Sequence, residues 1–563
     1  MALYKQDDIL TLDVVSYGMD GEGIAKQDGF VFFVKGALAG ETVKAKVLHV
    51  NKKNLVFCDL KEVIVPSKKR EKPVCNRFER CGGCDMLHIS YDEQLRIKRE
   101  NVKALFRKNM KREDIEVDDV VPCSTRYGYR NKIQLPFGTV NGKVAMGFFR
   151  ENSHRIVSVT KCFLHGEWAE KLIDVMLRFA NENGLTAYDD ATGKGLLKHA
   201  VARKTDDGLC IVVVTSGKRL PFEKKLIALL EKAFGDEYAL YNSIKKERNN
   251  VVLGEEMICL KQKRLTVNVL GIKAEINPYS FLQLNNEIRD KIYGRIVEEI
   301  KKTGKKSVVV DAYAGVGTLG AILAKDGNKV LNVEIVKEAT EDGKKLAKEN
   351  GLTEEEITNI NGDAAVVVPK IVNELTEEEK KNVVILLDPP RKGCDERVLS
   401  ALSSITAPHT IYYISCNPAT LTRDLNALLQ NGYQINYVTP YDMFPNTKHV
   451  ETLVQLSHKI PDSHIVVKVD FDKDNSIQTD TLLKNAQVYK PAERVTYKMI
   501  QAYVEKNYGF KVHTAYIAEV KRSYGLPMYD APNAVEELKR PRQHPSKKMV
   551  EAIKDALKHF GII

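Results

Sequence analysis

Ser307-Val308-Val309-Val310-Asp311-Ala312-Tyr313-Ala314-Gly315-Val316-Gly317-Thr318-Leu319-Gly320 is the stretch that decides the fold. An apolar β-branched run breaks at a glycine-bearing turn and continues into an apolar helix. The glycines let the backbone turn tightly and let a ligand approach it closely. The next strand pattern, Lys329-Val330-Leu331-Asn332-Val333, ends at Glu334, where a carboxylate can bind ribose hydroxyls. From residue 307 onward strands and helices alternate, which predicts a parallel α/β sheet. The G-x-G-x-x-G string is a weak signal by itself, shared by enzymes that use NAD and by those that use S-adenosylmethionine.

Two features favour S-adenosylmethionine. Asp311 ends the first strand ahead of the glycines, where it can hold the donor's ammonium group. Asp388-Pro389-Pro390-Arg391 follows a later strand pattern, Val383-Val384-Ile385-Leu386-Leu387. A polar residue and two prolines at that strand end make a rigid wall beside the donor methyl. Strings of this kind occur in many methyltransferases that act on nitrogen or carbon atoms of nucleic acids.

Further along, Thr410-Ile411-Tyr412-Tyr413-Ile414 runs into Ser415-Cys416-Asn417-Pro418, and Phe444-Pro445-Asn446-Thr447-Lys448-His449-Val450-Glu451 follows. A lone thiol after a strand is ordinarily a small core residue, and a lone carboxylate is ordinarily solvated. Next to a methyl-donor site their pairing has a chemical meaning. C5 of uracil attacks a sulfonium methyl poorly until a thiolate adds to C6; a base must then take the C5 proton so that the thiolate leaves. A free thiol has a pKa of about 8.5, so the site must lower it, and a helix opening at Pro418 offers its N-terminus. Glu451 ranks above His449 as the base, because a loop histidine is more often structural or solvated.

The 563 residues suggest several domains, and a formal net charge of +11 favours a polyanionic partner without requiring one. No apolar run is long enough to span a bilayer, and the first residues lack the order of a secretory signal, so a cytoplasmic protein is expected. Strand-like runs at Leu10–Val15, Phe30–Val34 and Val43–Val47, punctuated by glycines, suggest a five-stranded barrel of the OB type. Cys75, Cys81 and Cys84 bring three thiols into ten residues around Gly82-Gly83. Cys162 is the best fourth ligand and Cys123 the runner-up; four thiolates suit zinc or an iron–sulfur cluster. Asp462 to Asp480 is acidic and, after Val469, poor in strand signals. From Lys484 on, fifteen Lys plus Arg stand against eight Asp plus Glu, with helical patterns at Thr496–Tyr508 and Ser546–Phe560. This tail reads as a solvated helical appendage or as an RNA-binding or partner-docking module.

Taken together these strings resemble the RNA 5-methyluridine methyltransferases of the RumA/TrmA type, over about residues 3–458. The resemblance rests on CxxxxxCGGC from Cys75, the run from Asn277 to Asn285, the Asp311 glycine motif, DPPRKG from Asp388, SCNPATL from Ser415 and FPNTKHVE ending at Glu451. It implies an α/β fold: a Rossmann-like S-adenosylmethionine-dependent methyltransferase domain with an N-terminal OB-type barrel (TRAM), an α+β central iron–sulfur domain and a basic, mainly helical C-terminal extension. The domains would be 1–66, an RNA-binding barrel; 67–275, the iron–sulfur and RNA-binding domain, with a helix at about 92–111 packing on the catalytic domain; 276–458, the catalytic domain; and 459–563, of unknown role.

By family position, Cys416 is the nucleophile and Glu451 the general base. By the same resemblance Gln283, Tyr313, Glu334 and Asp388 contact S-adenosylmethionine and Asp363 lies near its adenine, beside the Asp311, Gly315 and Gly317 read above from the strand and its turn. Cys75, Cys81, Cys84 and Cys162 hold a four-iron, four-sulfur cluster. The barrel and cluster point to the ribosomal-RNA branch, 23S rRNA favoured, acting as a monomer on a uridine flipped from a single-stranded or remodelled region. The alternatives are the same chemistry on tRNA and, from another class, an NAD-dependent oxidoreductase.

Overall fold

The computed structural model describes residues 3–458, apart from 152, 154, 248, 250 and 406, together with 497–524 and 545–560. Residues 1–462 and 463–563 form two compact units. The first begins with a closed five-stranded barrel: β1 (Ile9–Tyr17), β2 (Gly23–Gln27), β3 (Phe30–Lys35), β4 (Thr42–Val50) and β5 (Leu55–Val65), in the order β1-β2-β3-β5-β4. Alternate residues such as Leu12, Val14, Phe32, Val34, Val43, Ala45 and Val47 fill its interior, as a period of two requires. A loop carrying three cysteines leads to α1 (Tyr91–Met110).

The next residues build a mixed seven-stranded sheet that the sequence showed only as alternating patterns. Its strands are β6 (Lys132–Val140), β7 (Lys143–Phe149), β8 (Ile156–Ser158), β9 (Leu197–Lys204), β10 (Leu209–Ser216), β11 (Tyr238–Lys245) and β12 (Glu256–Lys261), ordered β12-β11-β10-β9-β6-β7-β8. α2 (Glu167–Glu182) and α3 (Glu223–Phe234) contribute to its core. A hairpin of β13 (Thr266–Val269) and β14 (Ile272–Glu275) and then α4 (Asn286–Lys302) lead into the third sheet.

That sheet holds the motifs. β15 (Val308–Asp311), α5 (Thr318–Lys325), β16 (Lys329–Glu334), α6 (Lys337–Glu349), β17 (Ile357–Asn361), α7 (Ala364–Glu374), β18 (Val383–Leu387), α8 (Glu396–Ser403), β19 (His409–Ser415) and α9 (Pro418–Leu429) alternate along the chain. The five strands pair in parallel in the order β17-β16-β15-β18-β19. β20 (Tyr433–Tyr441) and β21 (Glu451–His458) complete it, β21 lying antiparallel between β19 and β20. β15 and β18 are buried along their whole length because both faces of the sheet are covered. Val309, Val384 and Leu386 pack on the side of α4, while Val308, Val310, Ile385 and Leu387 pack with Val102, Phe106 and Met110 of α1.

The second unit contains α10 (Tyr497–Tyr508), α11 (Thr514–Ser523) and α12 (Lys547–His559) around Ile500, Val504, Val512, Ile517, Val520, Ala552, Ile553, Ala556 and Leu557. The acidic stretch from Asp462 to Asp480 lies outside the described residues, as does Thr496. Among the described residues no helix is long and apolar enough to cross a membrane.

α1 is tied to the third sheet by a fully buried ion pair: Lys98 Nζ lies 2.5 Å from Asp442 Oδ1 and donates to the Phe444 carbonyl at 3.0 Å. Removing one partner of such a pair strands the other charge in the interior, at a cost of about 3–5 kcal/mol. Lys98→Ala is therefore expected to lower the thermal unfolding midpoint of the first unit by several degrees. Lys98→Ala/Asp442→Ala should recover part of that loss, which differential scanning calorimetry of the three proteins will measure.

Candidate functional site

Parallel strands all end at one edge, and ligands of open α/β sheets bind outside the carboxyl ends where strand order reverses. Here the reversal falls between β15 and β18. Asp311 ends β15, Asp388 follows β18, Glu334 ends β16 and Cys416 follows β19. Because β21 runs the opposite way, its first residue lies at the same edge: Ser415 pairs with Thr452, which sets Cys416 beside Glu451. The sheet's register thus brings together residues separated by long stretches of sequence.

The turn after β15 is built for close approach. Gly315 and Gly317 take φ of +57° and +74°, and a Cβ on Gly317 would lie 2.2 Å from the Asn332 amide nitrogen. Glu334 accepts hydrogen bonds from the backbone N–H of Gly315 at 2.9 Å and of Val336 at 2.8 Å, which fixes its carboxylate under the turn. Gln283 reaches in from the loop before α4, its amide nitrogen 3.5 Å from Asp388 Oδ2. Two groups from the second sheet hold that loop. Arg203 donates to the carbonyls of Leu282 (3.2 Å) and Ser280 (3.1 Å), and Asn131 donates to that of Gln283 (2.8 Å). Tyr279 and Phe281 on the same loop are exposed.

Asp363 stands farther along the edge, capping α7 through the Ala365 N–H (3.0 Å) and paired with Arg397 (3.0 Å). The Tyr313 ring packs on the α1 side of the sheet, near the Cys394 thiol.

Burial governs the site's charges. It pushes the Asp388 carboxyl up to about 7, against the hydrogen bond from Gln283. Asp311 is likewise pushed up to about 7 by burial, helped by Asp388 and Glu334 and opposed by the Tyr313 N–H. Glu451 is held well above the usual carboxylate range by burial and by Asp388, with Arg391 opposing. The Cys416 thiol is pushed up to about 11 by burial and by Glu451, again opposed by Arg391.

The expected helix N-terminus is present, with Asn417 as N-cap and Pro418 in the first turn. Its pull of about 0.3–1 kcal/mol does not outweigh desolvation and a neighbouring carboxyl. This corrects the expectation of a lowered thiol pKa in the free protein. His449 is pushed down by burial and Arg391.

The motifs left Arg391 and Tyr293 without a place in the site. Arg391 is anchored by its carbonyl, which accepts from Asn417 Nδ2 (3.1 Å) and Thr420 Oγ1 (3.2 Å). Its positive charge acts on Cys416, Glu451 and His449. The hydroxyl of Tyr293, on α4, lies within the electrostatic reach of Asp388, Asp311 and Glu451. Arg391 was visible inside the DPPR string, whereas nothing in the local sequence marks Tyr293.

A second site lies near α1. Cys75, Cys81, Cys84 and Cys162 line one largely apolar cavity with Phe78, Leu87, Phe148 and Val159, and Arg77, Arg130 and Lys161 also face it. Cys123 is elsewhere: it is buried against Glu287 and Asn285. Among the described residues no three His, Cys, Asp or Glu side chains close tightly enough to hold a metal ion.

The fold and the strand-end site define the methyltransferase class of α/β enzymes. Residues 90–459 match the family of tRNA (uracil-5-)-methyltransferases, and residues 9–56 match the TRAM domain. An uncharacterized RNA methyltransferase from Clostridium tetani is 38% identical over 458 residues, covering 81% of this chain and 97% of that protein. Another, from Halalkalibacterium halodurans, is 36% identical over 458 residues, covering 81% and 98%. The crystal structure of the Pyrococcus abyssi tRNA (uracil-54, C5)-methyltransferase in complex with S-adenosyl-L-homocysteine shares the fold, with a TM-score of 0.62 at 24% identity, covering 79% of this chain and 99% of that one.

The chain belongs to the tRNA (uracil-5-)-methyltransferase family and is an RNA methyltransferase. The nicotinamide reading of the glycine turn is set aside by that membership.

The Cys416 thiol, titrating near 11, is mostly neutral at pH 7. Its alkylation by iodoacetamide should rise about tenfold per pH unit until the thiol titrates. Arg391→Gln should slow it further at fixed pH, because a favourable positive charge is lost. Mass spectrometry of the Cys416 peptide reads both effects.

Proposed function

We propose that this chain transfers the methyl group of S-adenosylmethionine to C5 of a uridine in RNA, ribosomal RNA (23S) being the favoured substrate, with Cys416 as nucleophile and Glu451 as base. The observation that carries this reading is the register of β19 and β21, which sets thiol and carboxyl side by side at the strand edge that holds Asp311 and Asp388. Asp311 and Asp388 suit a cationic donor: a sulfonium or ammonium charge favours their ionised forms, which burial otherwise suppresses. Glu334, Gly315, Gly317 and Gln283 would complete the donor's cradle; Tyr313 stands beside the turn, and Asp363, farther along the edge, would lie near the adenine.

The target uridine leaves its stack to reach Cys416, so single-stranded or remodelled RNA is the expected substrate. Arg391 offsets the negative charge of the Cys416 thiolate as it forms and adds to C6. The activated C5 then takes the methyl group. Glu451, ionised at that stage, removes the C5 proton; the C–H electrons restore the C5–C6 double bond, and the sulfur leaves as thiolate.

The barrel (1–66) and the central domain (67–275) would grip the RNA. The four thiols do not converge on a single ion; a four-iron, four-sulfur centre, which takes four spread thiolates, would be held by Cys75, Cys81, Cys84 and Cys162, with Arg77, Arg130 and Lys161 supplying compensating charge. Such a centre would supply iron–thiolate bonds tying the loop from Cys75 to Cys84 to Cys162. A tRNA substrate is the second reading, favoured by the family's own name and by the tRNA enzyme that shares the fold.

Cys416→Ala is expected to abolish methylation of RNA. Glu451→Gln should lower turnover by about 10²–10⁴-fold and leave a protein–RNA adduct that survives denaturing gels. Free turnover by Glu451→Gln would remove Glu451 from the role of base.

A further inference from the structure

Asn446 lies five residues before Glu451, is fully buried and adopts a left-handed φ of +66°. Its N–H donates to Gln94 Oε1 at 2.9 Å, and its carbonyl accepts from the backbone N–H groups of Asp85 (3.1 Å) and Met86 (3.0 Å). Its side-chain nitrogen donates to the Arg126 carbonyl at 2.7 Å, and its side-chain oxygen accepts from Gln94 Nε2 at 3.3 Å. Gln94 Nε2 also reaches the carbonyls of Met86 (2.9 Å) and Ile89 (2.8 Å), while Asp85 Oδ2 accepts from the Lys448 N–H at 3.2 Å. Tyr129 donates to the Pro445 carbonyl at 3.1 Å, and Arg130, which faces the cysteine cavity, sits on the Tyr129 hydroxyl at 3.4 Å. The segment directly after Cys84 is thus sewn to the loop that ends in Glu451. Cys416 is held differently, by β19, by the cap of α9 and by the loop at Arg391.

We infer that Asn446 and Asp85 are positioning residues that clamp the Glu451 loop to the cysteine segment, so that loosening this clamp slows removal of the C5 proton while sparing formation of the Cys416 adduct. The inference rests on the assignment of Cys416 and Glu451 above, and it separates two steps that share one site. A displacement of about 1 Å in a reacting group can cost about 10²-fold in rate.

The test uses the full chain and two RNA substrates. In RNA bearing 5-fluorouridine the C5 substituent cannot leave as a proton, so the adduct accumulates whatever the base does. Asn446→Gly, which keeps the left-handed backbone, and Asp85→Ala should trap 5-fluorouridine RNA at the wild-type rate. On ordinary RNA they should turn over at least about tenfold more slowly and accumulate adduct on denaturing gels. Equal slowing of trapping and turnover, or unchanged turnover, would overturn the clamp. A variant with altered circular dichroism is replaced by the other. Failure of the underlying assignment looks different: wild type would not trap 5-fluorouridine RNA, or Cys416→Ala still would.

A separate observation concerns the second unit. From Lys484 on, Lys plus Arg exceed Asp plus Glu by fifteen to eight, whereas the residues before it hold 71 against 67. The chain's positive surplus is therefore concentrated in a segment beyond residue 459, where the family match ends. There lysines lie over aromatic rings (Lys548 on Phe510 at 5.6 Å, Lys554 on Tyr524 at 5.5 Å), and Tyr508 and Tyr524 are exposed. Cations interleaved with aromatic faces suit unpaired RNA, and we propose that this unit is a further RNA grip. Ending the chain at residue 462 should weaken RNA binding and flatten its dependence on salt. Unchanged affinity and slope, as a protein-docking unit would give, would refute the proposal.

Discussion

One reversal of chain direction organises the site. If β21 ran parallel to β19 its first residue would lie at the far edge of the sheet, a full strand length from the thiol. Running antiparallel between β19 and β20, it delivers Glu451 to the edge where the parallel strands end. A one-residue slip would turn every side chain of β21 to the opposite face. Leu453 packs on the α4 side of the sheet, and Val454 and Leu456 pack on the α1 side, so β21 is buried on both faces.

The cost of that arrangement is a crowd of buried acids. Burial shifts Asp311, Asp388 and Glu451 toward their neutral forms in the free protein, and repulsion from neighbouring carboxylates adds to the shift at Asp311 and Glu451. A site of this kind is incomplete until a cation enters it. Arg391 supplies a positive charge from the chain itself, at the lip of the site beside Cys416. A cationic methyl donor would supply a second, in the position where Asp311 and Asp388 meet. The elevated thiol pKa fits the same picture: burial and Glu451 raise it, and the positive charge of Arg391 opposes them.

Much of this was legible in sequence where the signal is local. The β-branched run and glycine turn at 307–320 gave the strand, turn and helix, and the prolines after Asp388 marked a strand end. The glycine-punctuated runs before residue 65 gave a five-stranded barrel, which closes. Other features depend on pairs far apart in the chain. Gln94 and Asn446 meet across 352 residues, and Lys98 and Asp442 across 344, with no local pattern to announce either. Tyr293 lies inside α4 with no motif to mark it, and its nearness to the acids is a product of tertiary packing. The N-terminus of α9 does follow Cys416, but burial and Glu451 outweigh it, because burial is a property of the fold and not of the flanking residues.

The central claim is that this chain places methyl groups on C5 of uridine in ribosomal RNA. The most direct measurement is mass-spectrometric mapping of 5-methyluridine in ribosomal and transfer RNA from cells with and without the protein. The account predicts at least one 5-methyluridine in 23S rRNA that disappears without the protein and returns with the wild type but not with Cys416→Ala. Ribosomal RNA unchanged while a transfer-RNA position loses its methyl group would contradict the substrate assignment, and no change in either RNA would contradict the activity.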